Sequence, residues 1–204
     1  MNRYTYEFEK RSECLETYEW DNVWWEQADK EIADRVLYIG DSISCATRRI
    51  ATKASNNTIL FDGFGTSKAL DNRYFAKSIS MFAEQQGERR AILFNNGLHG
   101  WHLDDETEYA KGYENMLKFL LGEFKGTPLI LLLTTYVADA ERDKRVQKRN
   151  SVVLKLAEKY KLPIIDLYSI TKKNSHLLFS DGVHFLPEGY VSANNFQKRK
   201  ASKT

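Results

Sequence analysis

Apolar residues gather into short unbroken runs rather than alternating with polar ones. Val36-Leu37-Tyr38-Ile39, Ile59-Leu60-Phe61, Ala91-Ile92-Leu93-Phe94, Leu129 to Leu133 and Ile164-Ile165 form five such runs. A strand with one wet face alternates, whereas a continuous run suits a strand covered on both faces, as in a parallel sheet. Each run stops at turn or cap residues, among them Gly40-Asp41-Ser42, Asp62-Gly63 and Asn95-Asn96-Gly97. Helical spacing appears between the runs. It covers the stretch from Ser42 through Arg48 to Ala54, much of Thr66 to Gln86 (Ala69, Phe75, Ile79, Phe82), and a segment opened by Asp104-Asp105-Glu106 with Tyr109, Tyr113, Met116, Leu117 and Leu120 inward. Leu70-Asp71-Asn72 interrupts the second of these. Arg142 to Tyr160 carries Val146, Val153, Leu154 and Ala157 among many charges and reads as a solvated outer helix, and a last helix starts near Pro187-Glu188. Strand and helix alternating through five rounds predict an α/β fold with a parallel sheet between helical layers. The residues before Arg35 have no period. Trp20, Trp24 and Trp25 there predict an arm over 1–34 anchored by its aromatic rings to a domain over 35–204, or a stacking wall for a sugar or aryl group.

Composition narrows the class. With 204 residues and 42% hydrophobic content the chain suits one domain with a sizeable core. A net charge of +2 gives no global field for nucleic acid or an anionic membrane, and the basic run at 197–203 reads as a solvated chain end. Two cysteines, Cys14 and Cys45, do not make a disulfide scaffold, although one bridge between them is compatible with the sequence. No apolar stretch is long enough to span a bilayer, and the first ten residues lack the apolar core of an export signal. A cytoplasmic protein is therefore expected, or an exported one had a signal been removed. Gly63-x-Gly65 is an incomplete dinucleotide fingerprint, because Lys68 stands at the third glycine position. His99 and His102, with Asp104 and Asp105 nearby, have a metal-like spacing but no second ligand cluster, so no metal or other cofactor is expected. Trp101 and His102 read instead as the border of a substrate cleft.

Two stretches carry chemistry. Gly40 permits a sharp turn out of the first run, and Ser42 or Ser44 can cap the helix that follows. A serine there stands at the carboxyl edge of a parallel sheet, where open α/β folds hold ligands, beside helix-start N–H groups suited to a forming oxyanion. Near the other end, Ser180-Asp181-Gly182-Val183-His184 places an acid three positions before a histidine. A serine hydroxyl needs a base, imidazole is the side chain suited to that near neutral pH, and the imidazole needs a partner to fix its tautomer. Ser42, His184 and Asp181 have those roles by chemistry.

In these residues the sequence resembles the SGNH or GDSL-type esterases and lipases. Gly40-Asp41-Ser42-Ile43 is similar to the family's first block, and Asp181-Gly182-Val183-His184 to its last. Gly65 is similar to the oxyanion glycine. The asparagine block, Gly-x-Asn-Asp in the family, falls on Asn95-Asn96-Gly97-Leu98-His99-Gly100, where Asn95 is favoured for the oxyanion side chain with His99 and Asn96 as alternatives. The resemblance implies a three-layer α/β/α sandwich of flavodoxin-like type, with a five-stranded parallel sheet in the order 2-1-3-4-5. It also implies a serine esterase acting through an acyl-enzyme on a small-molecule or carbohydrate ester. The tryptophans and the lack of a long apolar lid favour short acetyl esters of sugars. An acyltransferase with the same triad and a non-catalytic flavodoxin-like binding module are the rivals.

Overall fold

The computed structural model describes residues 15, 18–30, 33–103 and 105–191; Cys14, Asp104 and the basic run at 197–203 lie outside them. Six strands form one sheet: β1 (Asp21–Trp24), β2 (Asp34–Gly40), β3 (Ile59–Thr66), β4 (Ala91–Phe94), β5 (Leu129–Leu132) and β6 (Ile164–Ile165). Their order is β1-β3-β2-β4-β5-β6, with β1 antiparallel to β3 and every other pair parallel. The expected five-stranded, wholly parallel sheet is thus corrected to a six-stranded mixed one. The extra strand was invisible because it has no apolar run: all four residues of β1 are exposed, and only its ladder to β3 makes it a strand.

The five inner runs alternate faces even though both faces are apolar. Leu37, Ile39, Phe64, Ile92, Phe94 and Leu131 pack with α2 (Phe75–Gln86), α3 (Glu106–Glu123) and α4 (Ala140–Tyr160). Val36, Tyr38, Phe61, Leu93, Ile130 and Leu132 face the opposite layer, with Ala51 of α1 (Ser42–Ala54) and Leu167 of α5 (Leu167–Lys173). Asp41, Asp105, Asp139 and Asp166 cap four of these helices by accepting an N–H in the first turn. Asp166 accepts from Ser169 N–H at 2.9 Å. Helix α2 begins only at Phe75; the preceding residues from Ser67 form a loop at the carboxyl edge of the sheet.

Helix α4 departs from the expected outer helix. Lys144, Lys148, Leu154 and Lys155 are exposed, but Val146, Arg149, Asn150, Val153 and Ala157 form a buried stripe. Residues 18–30 are bound to the domain. The Trp25 ring stacks on Phe82 at 4.7 Å, and Glu26 N–H donates to Asp62 Oδ1 at 2.8 Å. Asp62 is fully buried and also accepts from Gln86 and, through both oxygens, from Arg35, whose guanidinium donates further to the carbonyls of Glu26, Gln27 and Lys30. One ion pair therefore fastens the arm, β2, β3 and α2 together.

Candidate active site

Strand β2 turns directly into α1 at Gly40. A Cβ there would stand 2.8 Å from Ser44 Cβ, so the turn is closed tightly enough to require glycine. Asp41, not Ser42 or Ser44, caps the helix: its Oδ1 accepts from Ile43 N–H at 2.9 Å. Ser44 Oγ instead donates back to Asp41 O at 2.6 Å. Ser42 is left as the first residue of the helix, where backbone N–H groups have no acceptor within the helix and the dipole favours negative charge.

The second half of the site is a turn at 177–186. Leu178 bridges Phe185 antiparallel, and Phe179 N–H donates to His184 O at 2.7 Å. Ala138 N–H, from the segment after β5, donates to Gly182 O at 2.8 Å. Asp181 Oδ1 accepts from the N–H groups of Val183 and His184, both at 2.9 Å, and its Oδ2 lies 2.7 Å from His184 Nδ1. His184 Nε2 lies 2.7 Å from Ser42 Oγ. With a carboxylate on one side, Nδ1 carries the proton, so Nε2 is the acceptor for the serine hydroxyl. Partial burial pushes the Asp181 carboxyl up, but the two N–H donors and the imidazole outweigh it and hold the group below its ordinary value. The fold has brought Ser42 to His184, 142 positions away in the sequence, with Asp181 three positions before the histidine.

The remaining expected residues separate. Gly65 lies inside β3, paired with Gly40 of β2 and Asn22 of β1. A Cβ on it would come 2.3 Å from Cys45 Sγ, so its bareness lets the first turn of α1 sit against the strand. Cys45 is a free thiol, pushed up in pKa chiefly by burial. Asn95, favoured as the oxyanion side chain, donates through its amide to Leu132 O at 2.8 Å and to Thr134 Oγ1 at 3.1 Å, which ties the end of β4 to the end of β5. Asn96 Nδ2 donates to Lys68 O and staples its loop to the one after β3.

His99 is placed differently. Its ring meets Trp20 edge-on at 5.8 Å, and Trp20 is itself bonded through its backbone to Thr66 and Ser67 at the end of β3. In the order β1-β3-β2-β4, a loop leaving β4 reaches Trp20 only by crossing the carboxyl ends of β2 and β3, where Ser42 stands. At roughly 4.8 Å per strand that is a span of about 14 Å. His102, by contrast, is held by Asp71 at 2.9 Å. The Trp101 ring carries the guanidiniums of Arg145 and Arg149 at 4.6 and 4.5 Å. Among the described residues, no group of three or more His, Cys, Asp or Glu side chains converges on a point.

Arg149 escaped the sequence reading. It is buried on α4, donates to the carbonyls of Gly97, His99 and Gly100, and lies over the rings of Trp101 and Tyr109. It therefore sets the backbone of the loop that carries His99. The signal was present as spacing: Val146, Arg149, Asn150, Val153 and Ala157 follow i, i+3, i+4, i+7, i+11, which puts Arg149 in the apolar stripe.

No protein-family model and no curated protein matches the sequence. Solved structures do match. A GDSL-like lipase from Bacteroides thetaiotaomicron VPI-5482 aligns with a TM-score of 0.66 at 16% identity, over 83% of this chain and 88% of that one. A member of the lipolytic protein G-D-S-L family from Veillonella parvula DSM 2008 gives 0.64 at 16% identity, over 84% and 100%. An acetyl xylan esterase gives 0.62 at 17% identity, over 81% and 98%. The chain has the fold of the GDSL-type hydrolases.

Proposed function

We propose that the protein is a serine hydrolase that cleaves carboxylic esters through an acyl-enzyme on Ser42. The observation that carries this reading is the pair of 2.7 Å contacts linking Asp181 to His184 and His184 to Ser42. As Ser42 Oγ bonds to the ester carbonyl carbon, its proton passes to His184 Nε2 and the carbonyl electron pair moves onto oxygen. Asp181 holds the imidazole in orientation and offsets its charge. The C–O bond to the alcohol then breaks and His184 gives the proton to the departing oxygen. Water repeats the two steps on the acyl-enzyme, releasing the acid and restoring Ser42.

The oxyanion is assigned to the N–H of Ser42 at the start of α1, the Gly65 backbone on the facing strand and the side chain of His99. His99 takes the place expected of Asn95, whose amide is committed elsewhere. Removing one such donor costs about 100- to 1,000-fold in turnover. The acyl group is assigned as short, with acetyl esters of carbohydrates as the class; the acetyl xylan esterase of the same fold supports this. Hydrolysis is favoured over transfer to another alcohol because the His184 side chain is 40% exposed and water reaches the base.

A fluorophosphonate probe followed by mass spectrometry tests the reading. The expected result is an adduct on Ser42 that is absent in Ser42→Ala and slow in His184→Ala. A folded protein that takes no adduct would overturn it.

A further inference from the structure

We propose that Phe179 and Leu186 form an apolar shelf beside His184 that receives the leaving alcohol of the ester, a proposal that rests on the roles given to Ser42 and His184 above. The geometry of the turn carries it. Phe179 N–H donates to His184 O at 2.7 Å, Leu186 N–H donates to Leu177 O at 2.8 Å, and Leu178 bridges Phe185 between them. This register is that of an antiparallel pair, in which opposed residues share a face and successive residues alternate. Leu178 and Phe185 take the inner face, packed with Ile43, Val137 and Tyr190. Phe179 and Leu186 therefore share the other face with His184, whose ring is directed at Ser42.

Both residues are held in water. Phe179 is 53% exposed and Leu186 is 38% exposed, beside a histidine and an aspartate already engaged in the triad. Large apolar side chains kept exposed at the rim of a reactive centre mark a surface that a ligand covers. The side of the cleft decides which half of the ester lies there. The carbonyl oxygen turns toward the start of α1 and His99, whereas the alcohol departs by taking its proton from His184, so it leaves along the His184 face. The shelf carries apolar atoms only, and an aromatic ring prefers a flat partner. The alcohol it fits offers a flat apolar face, which an aryl alcohol and the C–H face of a pyranose ring both provide.

The test compares kcat/KM on 2-naphthyl acetate, an acetylated methyl glucopyranoside and methyl acetate for the wild type, Phe179→Ala and Phe179→Tyr. Phe179→Ala is expected to lower the ratio of naphthyl to methyl acetate about 5- to 20-fold, and Phe179→Tyr to restore it, as loss and return of one aromatic contact predict. A matching fall on the glucopyranoside supports the sugar as the natural source of the flat face; a fall on the naphthyl ester alone supports an aryl alcohol. A ratio within twofold of wild type overturns the shelf. If no ester is turned over, the esterase reading fails by itself, and titration with 2-naphthol followed by NMR decides the shelf. Binding weakened in Phe179→Ala supports it, and equal or absent binding overturns it.

Discussion

Replacing Asp181 by Asn separates the roles of the acid more sharply than truncation does. Oδ1 of Asp181 accepts from two N–H groups of its own turn, and an Asn oxygen can keep both. Oδ2 faces His184 Nδ1 at 2.7 Å, and there the Asn side chain presents an NH2 group. Two N–H donors cannot face each other, so the imidazole must move its proton to Nε2, the atom that has to accept the Ser42 proton. Loss of the charge-assisted bond to the imidazolium is worth about 1.5–3 kcal/mol, or roughly 10- to 150-fold. The reversed tautomer adds to this, and a fully buried triad loses about 10,000-fold. The Asp181 and His184 side chains are 34% and 40% exposed, so water replaces part of what the carboxylate supplies, and a loss of about 1,000-fold in kcat is expected with little change in KM. Initial rates on 4-nitrophenyl acetate and the rate of fluorophosphonate labelling measure it, with circular dichroism to show that the variant is folded. A folded Asp181→Asn protein within fivefold of wild type would refute the assignment. The pH dependence has a definite sign. A carboxylate held below its ordinary value contributes stability above its unfolded pKa of about 3.9 and loses it as pH falls through the folded value. The Asp181 contribution therefore persists above about pH 4.

Other substitutions probe the frame. Arg35→Met strands the buried carboxylate of Asp62 and is expected to cost about 3–5 kcal/mol, a fall in Tm of roughly 6–20 °C; a shift under 2 °C would show that Gln86 and Glu26 suffice to hold it. Gly65→Ala drives a methyl group into Cys45 Sγ and displaces the turn bearing Ser42, so activity should drop at least tenfold. Adding Cys45→Ala should restore most of it, because the next neighbour, Asp41 O, is at an ordinary 3.4 Å; a double variant no better than the single one would contradict the steric account. Arg149→Lys loses the fork that grips three carbonyls of the His99 loop and should lower kcat about 10- to 100-fold at near-constant KM, whereas kcat within threefold in a folded variant would show that the loop is held without it.

Much of this molecule was readable one residue at a time. Runs such as Val36 to Ile39 and Ala91 to Phe94 announced strands buried on both faces, because local chain chemistry decides where an apolar segment can go. Gly40-Asp41-Ser42 and Asp181 to His184 offered a candidate nucleophile and a candidate base, because only certain side chains can hold or take a proton near neutral pH. What escaped depended on neighbours far along the chain. Strand β1 has no apolar pattern and exists only through its ladder to β3. Asn95 and His99 are equally good donors on paper, and it is Leu132 and Thr134, at and just beyond the end of the adjacent strand, that take up the Asn95 amide. Arg149 looked like one more surface charge until the loop after β4 closed over it. Composition and period fix which groups a chain offers; which of them are free to act is set by the partners that folding brings within hydrogen-bond reach, and those partners are not local.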